Sequence, residues 1–127
     1  MSSIMVINAK GGSGKTTIST NLAAYYADAG YNVTLVDLDP QGSSTKWLSL
    51  RPFTKPRIKG VTSLPSQKVS KKQNDITIFD VPAAIYGPKL ETYIKKARKI
   101  IIPVLPSPID MAAAKDFLKS IRNLGSI

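Results

Sequence analysis

Lys15 stands in the run Lys10-Gly11-Gly12-Ser13-Gly14-Lys15-Thr16-Thr17, between the apolar stretch Ile4-Met5-Val6-Ile7 and a helical pattern that opens at Thr16. A glycine-rich turn between a buried strand and a helix lets backbone N–H groups curl round an anion, because no Cβ blocks the approach. The helix N-terminus adds free N–H groups and a partial positive charge. Such a turn suits phosphate. In it Lys15 reaches β- and γ-phosphates, and the Thr16 hydroxyl is a ligand for Mg²⁺. The standard pattern has its first glycine where this chain has Ala9, so the match is a departure from the strict form.

Two other apolar runs end in acids. Val36-Asp37-Leu38-Asp39-Pro40-Gln41-Gly42 puts two carboxylates at a strand tip, and alternation along extended chain directs Asp37 and Asp39 to one side. Beside a phosphate turn both would face Mg²⁺ and an attacking water; the plainer reading is a pair of turn aspartates ahead of Pro40. Ile76-Thr77-Ile78-Phe79-Asp80 is an apolar strand closing on a carboxylate that would hold a Mg²⁺-bound water. An acid at a strand end is common, so this signal takes its weight from the other two.

These residues need a scaffold, and the chain supplies an alternating one. After the first strand, Thr16 to Ala29 reads as a helix with Leu22, Ala23, Tyr26 and Ala27 on one side and Gly30 as its stop. Val33 to Val36 is a second strand, and Ser43 or Ser44 suits the cap of a short helix carrying Trp47, read as a packing residue. Arg57 to Thr62 reads as a short strand, and the rest of 51–74 as loop or weak helix. A helix runs from Pro88 to about Ala97, a strand spans Ile100 to Ile102 and Val104, and a last helix runs from Pro108 or Ile109 to Asn123, stopped by Gly125. Apolar strands alternating with helices predict an α/β fold with a parallel sheet covered on both faces. Ligands of such sheets bind at the carboxyl ends of the strands, where all three motifs fall.

The 127 residues fit a single domain, 1–127, and 43% of them are apolar, enough for a core. There is no Cys and no His, which excludes disulfides, zinc fingers, iron–sulfur clusters, His-ligated haem and Ser-His or Cys-His catalytic pairs. A metal here has to be a hard, oxygen-bound cation. No apolar run approaches ~18 residues and the N-terminus has no basic segment of a secretory signal, so the expected location is cytoplasmic. The net charge of +10 points to a polyanionic partner.

The run from Lys10 to Thr17 resembles the deviant Walker A motif of the ParA/MinD family of ATPases, whose extra lysine corresponds to Lys10. Asp37-Leu38-Asp39-Pro40-Gln41 resembles the Asp-x-Asp-Pro-Gln of its partition ATPases, Asp80 followed by Pro82 its Walker B strand, and Ile100 to Asp110 its small ParF-type members. The resemblance runs from Ile4 to about Lys119. It implies a three-layer P-loop NTPase fold with a mostly parallel central sheet, of which this chain is the N-terminal portion, truncated at the C-terminal end.

It also implies a chemistry. Gly11, Gly12, Ser13, Gly14, Lys15, Thr16 and Thr17 would bind ATP or ADP; Thr16, Asp37 and Asp80 would hold Mg²⁺; Asp39 would position the lytic water in a switch loop. Lys10 would cross the interface of an ATP-dependent homodimer to the partner's phosphates, where a second cation offsets transition-state charge. Further partners implied are higher assemblies of the same chain, non-specific DNA and a ParB-like stimulating adaptor, with a nucleoid-associated location and a role in plasmid or chromosome partition or cargo positioning.

The candidate DNA contacts are Arg51, Lys55, Arg57, Lys59, Lys68, Lys71 and Lys72, seven cations in a stretch without an acid, joined by Lys89, Lys95, Lys96, Arg98 and Lys99. Two other readings stand beside this one. The chain could be a non-catalytic nucleotide-binding or self-assembly module. A membrane-associated positioning ATPase of the MinD type would need an amphipathic C-terminal helix, for which Lys115 to Ile127 is poorly suited. A relative of the nitrogenase iron protein is excluded by the missing cysteines.

Overall fold

The computed structural model describes residues 2–9, 14–64, 72–83 and 85–124. The chain runs β1 (Ser2–Val6), α1 (Lys15–Asp28), β2 (Asn32–Asp37), α2 (Ser43–Ser49), β3 (Ile58–Val61), β4 (Asp75–Asp80), α3 (Gly87–Ile94), β5 (Lys99–Ile101) and α4 (Pro108–Asn123). The strands form one sheet in the order β3-β2-β4-β1-β5, with every pairing parallel.

Successive side chains of a strand leave opposite faces of the sheet, and here both faces are covered. Ile4, Val33, Leu35, Ile76 and Ile78 pack with Ala23 and Ala27 of α1, and Trp47 and Leu48 of α2 close that layer. Met5, Val36 and Phe79 pack with Leu90 and Ile94 of α3 and Phe117 and Ile121 of α4 on the other side. This is why β1, β2 and β4 read as largely apolar runs, with Thr34 and Thr77 the polar residues inside β2 and β4. The result is the three-layer α/β arrangement expected.

Some boundaries differ from the sequence reading, each for a local reason. Gly42, in the left-handed region at φ 66°, is the N-cap of α2; neither Ser43 nor Ser44 caps it, and the Ser44 hydroxyl is engaged elsewhere. α3 closes at Ile94 because the chain tightens there, Lys96 donating to Tyr93 and Ala97 to Ile94. β5 stops at Ile101, ahead of Pro103, which has no N–H to offer a ladder. Gly125, the expected stop of α4, lies outside the described residues.

The topology creates the crevice. The connection leaving β1 runs through α1 towards β2, while the one leaving β4 runs through α3 to β5 on the other side of β1. Between β1 and β4 the chain therefore departs in opposite directions, and the carboxyl ends of these two strands are left open. In register, Val6 lies opposite Asp80 and Asp80 opposite Asp37, so β1, β4 and β2 deliver their last residues to one level.

Candidate functional site

Gly14 is the N-cap of α1 at φ 82°, a conformation that a Cβ would strain. No side chain caps α1, and no acid stands in its first turn. Its leading N–H groups therefore have no anion of this chain assigned to them by the helix itself, the usual condition of a phosphate-binding helix end. A cavity of about 440 Å³ opens there, lined by Asn8, Gly14, Lys15, Thr16, Thr17, Asp39, Gln41 and Ser43 together with Pro82 and Ala83 after β4.

Lys15 is buried, and its ammonium meets two carboxylates. Nζ bonds Asp80 Oδ1 and lies 3.4 Å from Asp39 Oδ2. Asp80 is wholly buried; its Oδ2 accepts from Thr16 Oγ1 at 3.2 Å and from Ser44 Oγ. The structure thus brings Lys15, Thr16, Asp39 and Asp80 into one cluster.

Asp37 and Asp39 serve different partners, because the chain leaves the strand at Asp37 and turns. Asp37 Oδ1 accepts the N–H of Asp39 at 3.1 Å, and Oδ2 accepts Thr45 N–H at 2.8 Å and Thr45 Oγ1 at 2.9 Å. Its carboxylate anchors the first turn of α2. Asp39 Oδ1 accepts the N–H of Gln41 at 3.0 Å, which fixes the turn, while Oδ2 is left facing Lys15. Lys10, Gly11, Gly12 and Ser13 lie outside the described residues.

A Mg²⁺-nucleotide fits this donor set. Three carboxylates (Asp37, Asp39 and Asp80) stand against the one cation Lys15 among the described residues. Bringing phosphate to that excess of negative charge calls for a divalent cation. Thr16 and Asp80 offer adjacent hard oxygens, and Mg²⁺ is commonly held by one or two protein oxygens plus phosphates and waters rather than by a full protein cage.

The sequence reading missed Ser44 and Thr45. Their signal was two hydroxyls in the first turn of the helix that follows an acidic strand end. The candidate DNA cations gather elsewhere. Arg51, Lys55, Arg57 and Lys59 lie on the α2–β3 loop and the start of β3, while Lys95, Lys96, Arg98 and Lys99 lie between α3 and β5. Both groups stand at the amino end of the sheet, at its two edges. Lys89 stands apart in α3, Lys72 precedes β4, and Lys68 and Lys71 lie outside the described residues.

Comparison with known proteins bears on the family and the fold. A family model described as an AAA domain matches residues 1–126. The maintenance of carboxysome distribution protein A of Gloeobacter kilaueensis is 35% identical over 118 residues, which is 86% of this chain and 51% of that protein. The chromosome-partitioning ATPase Soj of Thermus thermophilus is 58% identical over 48 residues, 38% of this chain and 19% of Soj. A nucleotide-binding protein from Archaeoglobus fulgidus, solved in complex with ADP, superposes with a TM-score of 0.69 at 18% identity, over 98% of this chain and 62% of that one; this likeness is one of fold. The chain spans about half the length of the curated relatives it matches along most of its own length.

Proposed function

The chain belongs to this AAA-domain family, that of the ParA/MinD-type P-loop ATPases, and from that membership we propose that it binds Mg²⁺-ATP at the carboxyl ends of β1, β2 and β4 and hydrolyses it. The observation that carries the reading is Lys15, buried between Asp80 and Asp39 at the uncapped N-terminus of α1. A lysine so placed is a cation in store for an anion.

When phosphate enters, Lys15 exchanges its carboxylates for β- and γ-phosphate oxygens. Mg²⁺, held through Thr16 and Asp80, would neutralise phosphate charge. The departure of Lys15 uncovers Asp39 Oδ2, which then orients the attacking water, while the bond from Gln41 N–H to Oδ1 keeps the carboxylate from swinging away. Asp37, with both oxygens engaged, supports the site by holding the Asp39 turn and α2. Lys10 would reach the partner's nucleotide in an ATP-dependent homodimer, so that Lys10→Ala binds ATP as a monomer and forms no dimer in light scattering.

The larger role we infer is the partition of DNA or the positioning of a cargo, after the relatives named for chromosome partition and carboxysome distribution. DNA would be met non-specifically by the basic amino end of the sheet, away from the nucleotide, and a partner protein would stimulate hydrolysis. Calorimetry with Mg²⁺-ATP tests the core of the reading. The parent binds, and Lys15→Ala and Thr16→Ala do not; binding by either variant at parental affinity overturns the site assignment.

A further inference from the structure

The two oxygens of Asp80 meet three donors: Lys15, Thr16 and Ser44. Under the nucleotide reading, on which this inference rests, Lys15 and Thr16 turn to phosphate and Mg²⁺. Ser44 does not. It is wholly buried and comes from a different element, the first turn of α2. A carboxylate at the end of a buried strand that would exchange two donors for one Mg²⁺ contact keeps its rotation through the donor that stays, because a hydrogen bond to an ionised group in a dry site is strong.

We propose that Ser44 is a positioning residue for Asp80: its hydroxyl holds the carboxylate in place while Lys15 and Thr16 are drawn to the nucleotide, and so ties the setting of α2 to the occupancy of the site. The neighbouring residue makes this specific. Thr45 hooks the same helical turn to Asp37. The first turn of α2 is thus stitched to β4 through Ser44 and to β2 through Thr45, at two acids that stand opposite each other in register. α2 has only seven residues and no side-chain cap of its own, too short to hold itself by helix propensity. Its placement depends on those two acids. Trp47, three residues beyond Ser44 and the chain's one tryptophan, packs against the α1 layer under the Arg51 guanidinium, 5.6 Å from the ring centre. A change at Asp80 that resets α2 therefore changes the surroundings of a single fluorophore.

The test compares Ser44→Ala with Thr45→Ala, each of which removes one hydroxyl anchor of α2, only the first of them on Asp80. ATP affinity is measured with Mg²⁺ and with EDTA, and Trp47 emission is followed in the same titrations. Ser44→Ala should reduce the Mg²⁺-dependent gain in ATP affinity about tenfold, the loss of one hydrogen bond to a charged group. It should leave the Mg²⁺-free affinity within about twofold and suppress the Trp47 response. Thr45→Ala should keep the Mg²⁺ gain within about twofold. Ser44→Thr, which retains the donor, should recover the gain, and provides the answer if the alanine variant does not fold. An undiminished Mg²⁺ gain in Ser44→Ala, an equal loss in Thr45→Ala, or a folded Ser44→Thr that recovers nothing overturns the positioning role alone. A parent that binds no ATP overturns the nucleotide reading and this inference with it.

Discussion

At the carboxyl end of the sheet Lys15, Asp37 and Asp80 are buried and each is held at bonding distance, Lys15 by Asp80 and Asp37 by Asp39 N–H and Thr45, whereas at the amino end Lys55, Arg57 and Lys59 stand in solvent beside Phe53, whose ring is fully exposed. Charge at the first end is confined by geometry. Each buried group needs a partner at bonding distance, since leaving it without one costs more than a typical net hydrogen bond contributes. Charge at the second end is hydrated and free in its spacing. One residue there behaves like the first end: Arg51, largely buried, donates from Nε to the Pro56 carbonyl at 3.0 Å, covers Trp47 and lies 3.7 Å from Asp28. The contrast separates residues that the proposed phosphate site would have to fix from residues that a polyanion surface would need only in number.

The strongest challenge to that contrast is Lys15→Ala. Mg²⁺-ATP affinity should fall by at least about 100-fold, the loss of a charge-assisted contact in a dry site. Stability should fall by about 3 kcal/mol, because Asp80 keeps only hydroxyl donors. Urea unfolding with and without ATP separates the two effects. The double variant Lys15→Met, Asp80→Asn removes both charges and should regain most of the stability without regaining binding. A stable Lys15→Ala would mean that the buried pair is not what holds this end together.

Next in size is Asp39→Ala. Phosphate release should drop by about 100-fold or more, the usual contribution of a group that handles the attacking water. ATP affinity should stay within a few-fold, because the change withdraws one competitor for Lys15 and removes no proposed phosphate contact. A parallel loss of both would make Asp39 a binding residue and blur the distinction from Asp80.

How much of this the sequence revealed follows the same division. The strands were legible because both faces of a parallel sheet are buried, so Ile4 to Ile7 is a continuous apolar run and Ile76 to Phe79 is apolar apart from Thr77. Lys15, Thr16, Asp39 and Asp80 were legible because a phosphate turn and two strand ends converge at a switch point of the topology. That Asp37 anchors α2 while Asp39 faces Lys15 was not, since alternation holds only while the chain stays extended, and β2 ends at Asp37. Ser44, with Ser43, looked like a helix-capping residue, because a hydroxyl at a helix start usually bonds its own helix, and Thr45 carried no separate signal; here Gly42 holds the cap, and the hydroxyls of Ser44 and Thr45 turn to acids 36 and 8 residues away. That the basic groups of the α2–β3 loop and the α3–β5 turn share one end of the sheet could not be read from positions some 40 residues apart along the chain; it required the strand order.

Arg51→Ala tests whether the amino end has a fixed element at all. It removes the cover over Trp47 and the tie to Pro56, and should cost about 1–2 kcal/mol. Phe53→Ala, which takes away a side chain in full solvent, should change stability by less than about 0.5 kcal/mol. Thermal unfolding of the two variants side by side checks the difference.

The smallest effects belong to the exposed cations one at a time, and they add up only where each meets a phosphate. Duplex DNA binding driven by counterion release has a log–log salt slope of about −0.9 for every phosphate neutralised. Changing Lys55, Arg57 and Lys59 together to Gln should therefore flatten the slope by up to about 2.7 if all three make contact, and by less in proportion to those that do not. The affinity loss should be uniform across unrelated sequences, since backbone contacts carry no base information. ATP affinity should be unchanged, because these residues stand at the opposite end of the sheet from Lys15. In the proposed ATP-dependent homodimer the number of contacts would double without any of them altering, which would let ATP switch binding on from a distance. Phe53 serves as the internal control. A duplex offers its ring no open base face, so Phe53→Ala should shift duplex affinity by less than about twofold and leave the slope alone, while a markedly larger loss on single strands would assign the ring to base stacking. A slope unchanged in the triple Gln variant would show that these lysines and arginine serve solubility, and would move the polyanion surface to the α3–β5 edge around Lys95, Lys96, Arg98 and Lys99.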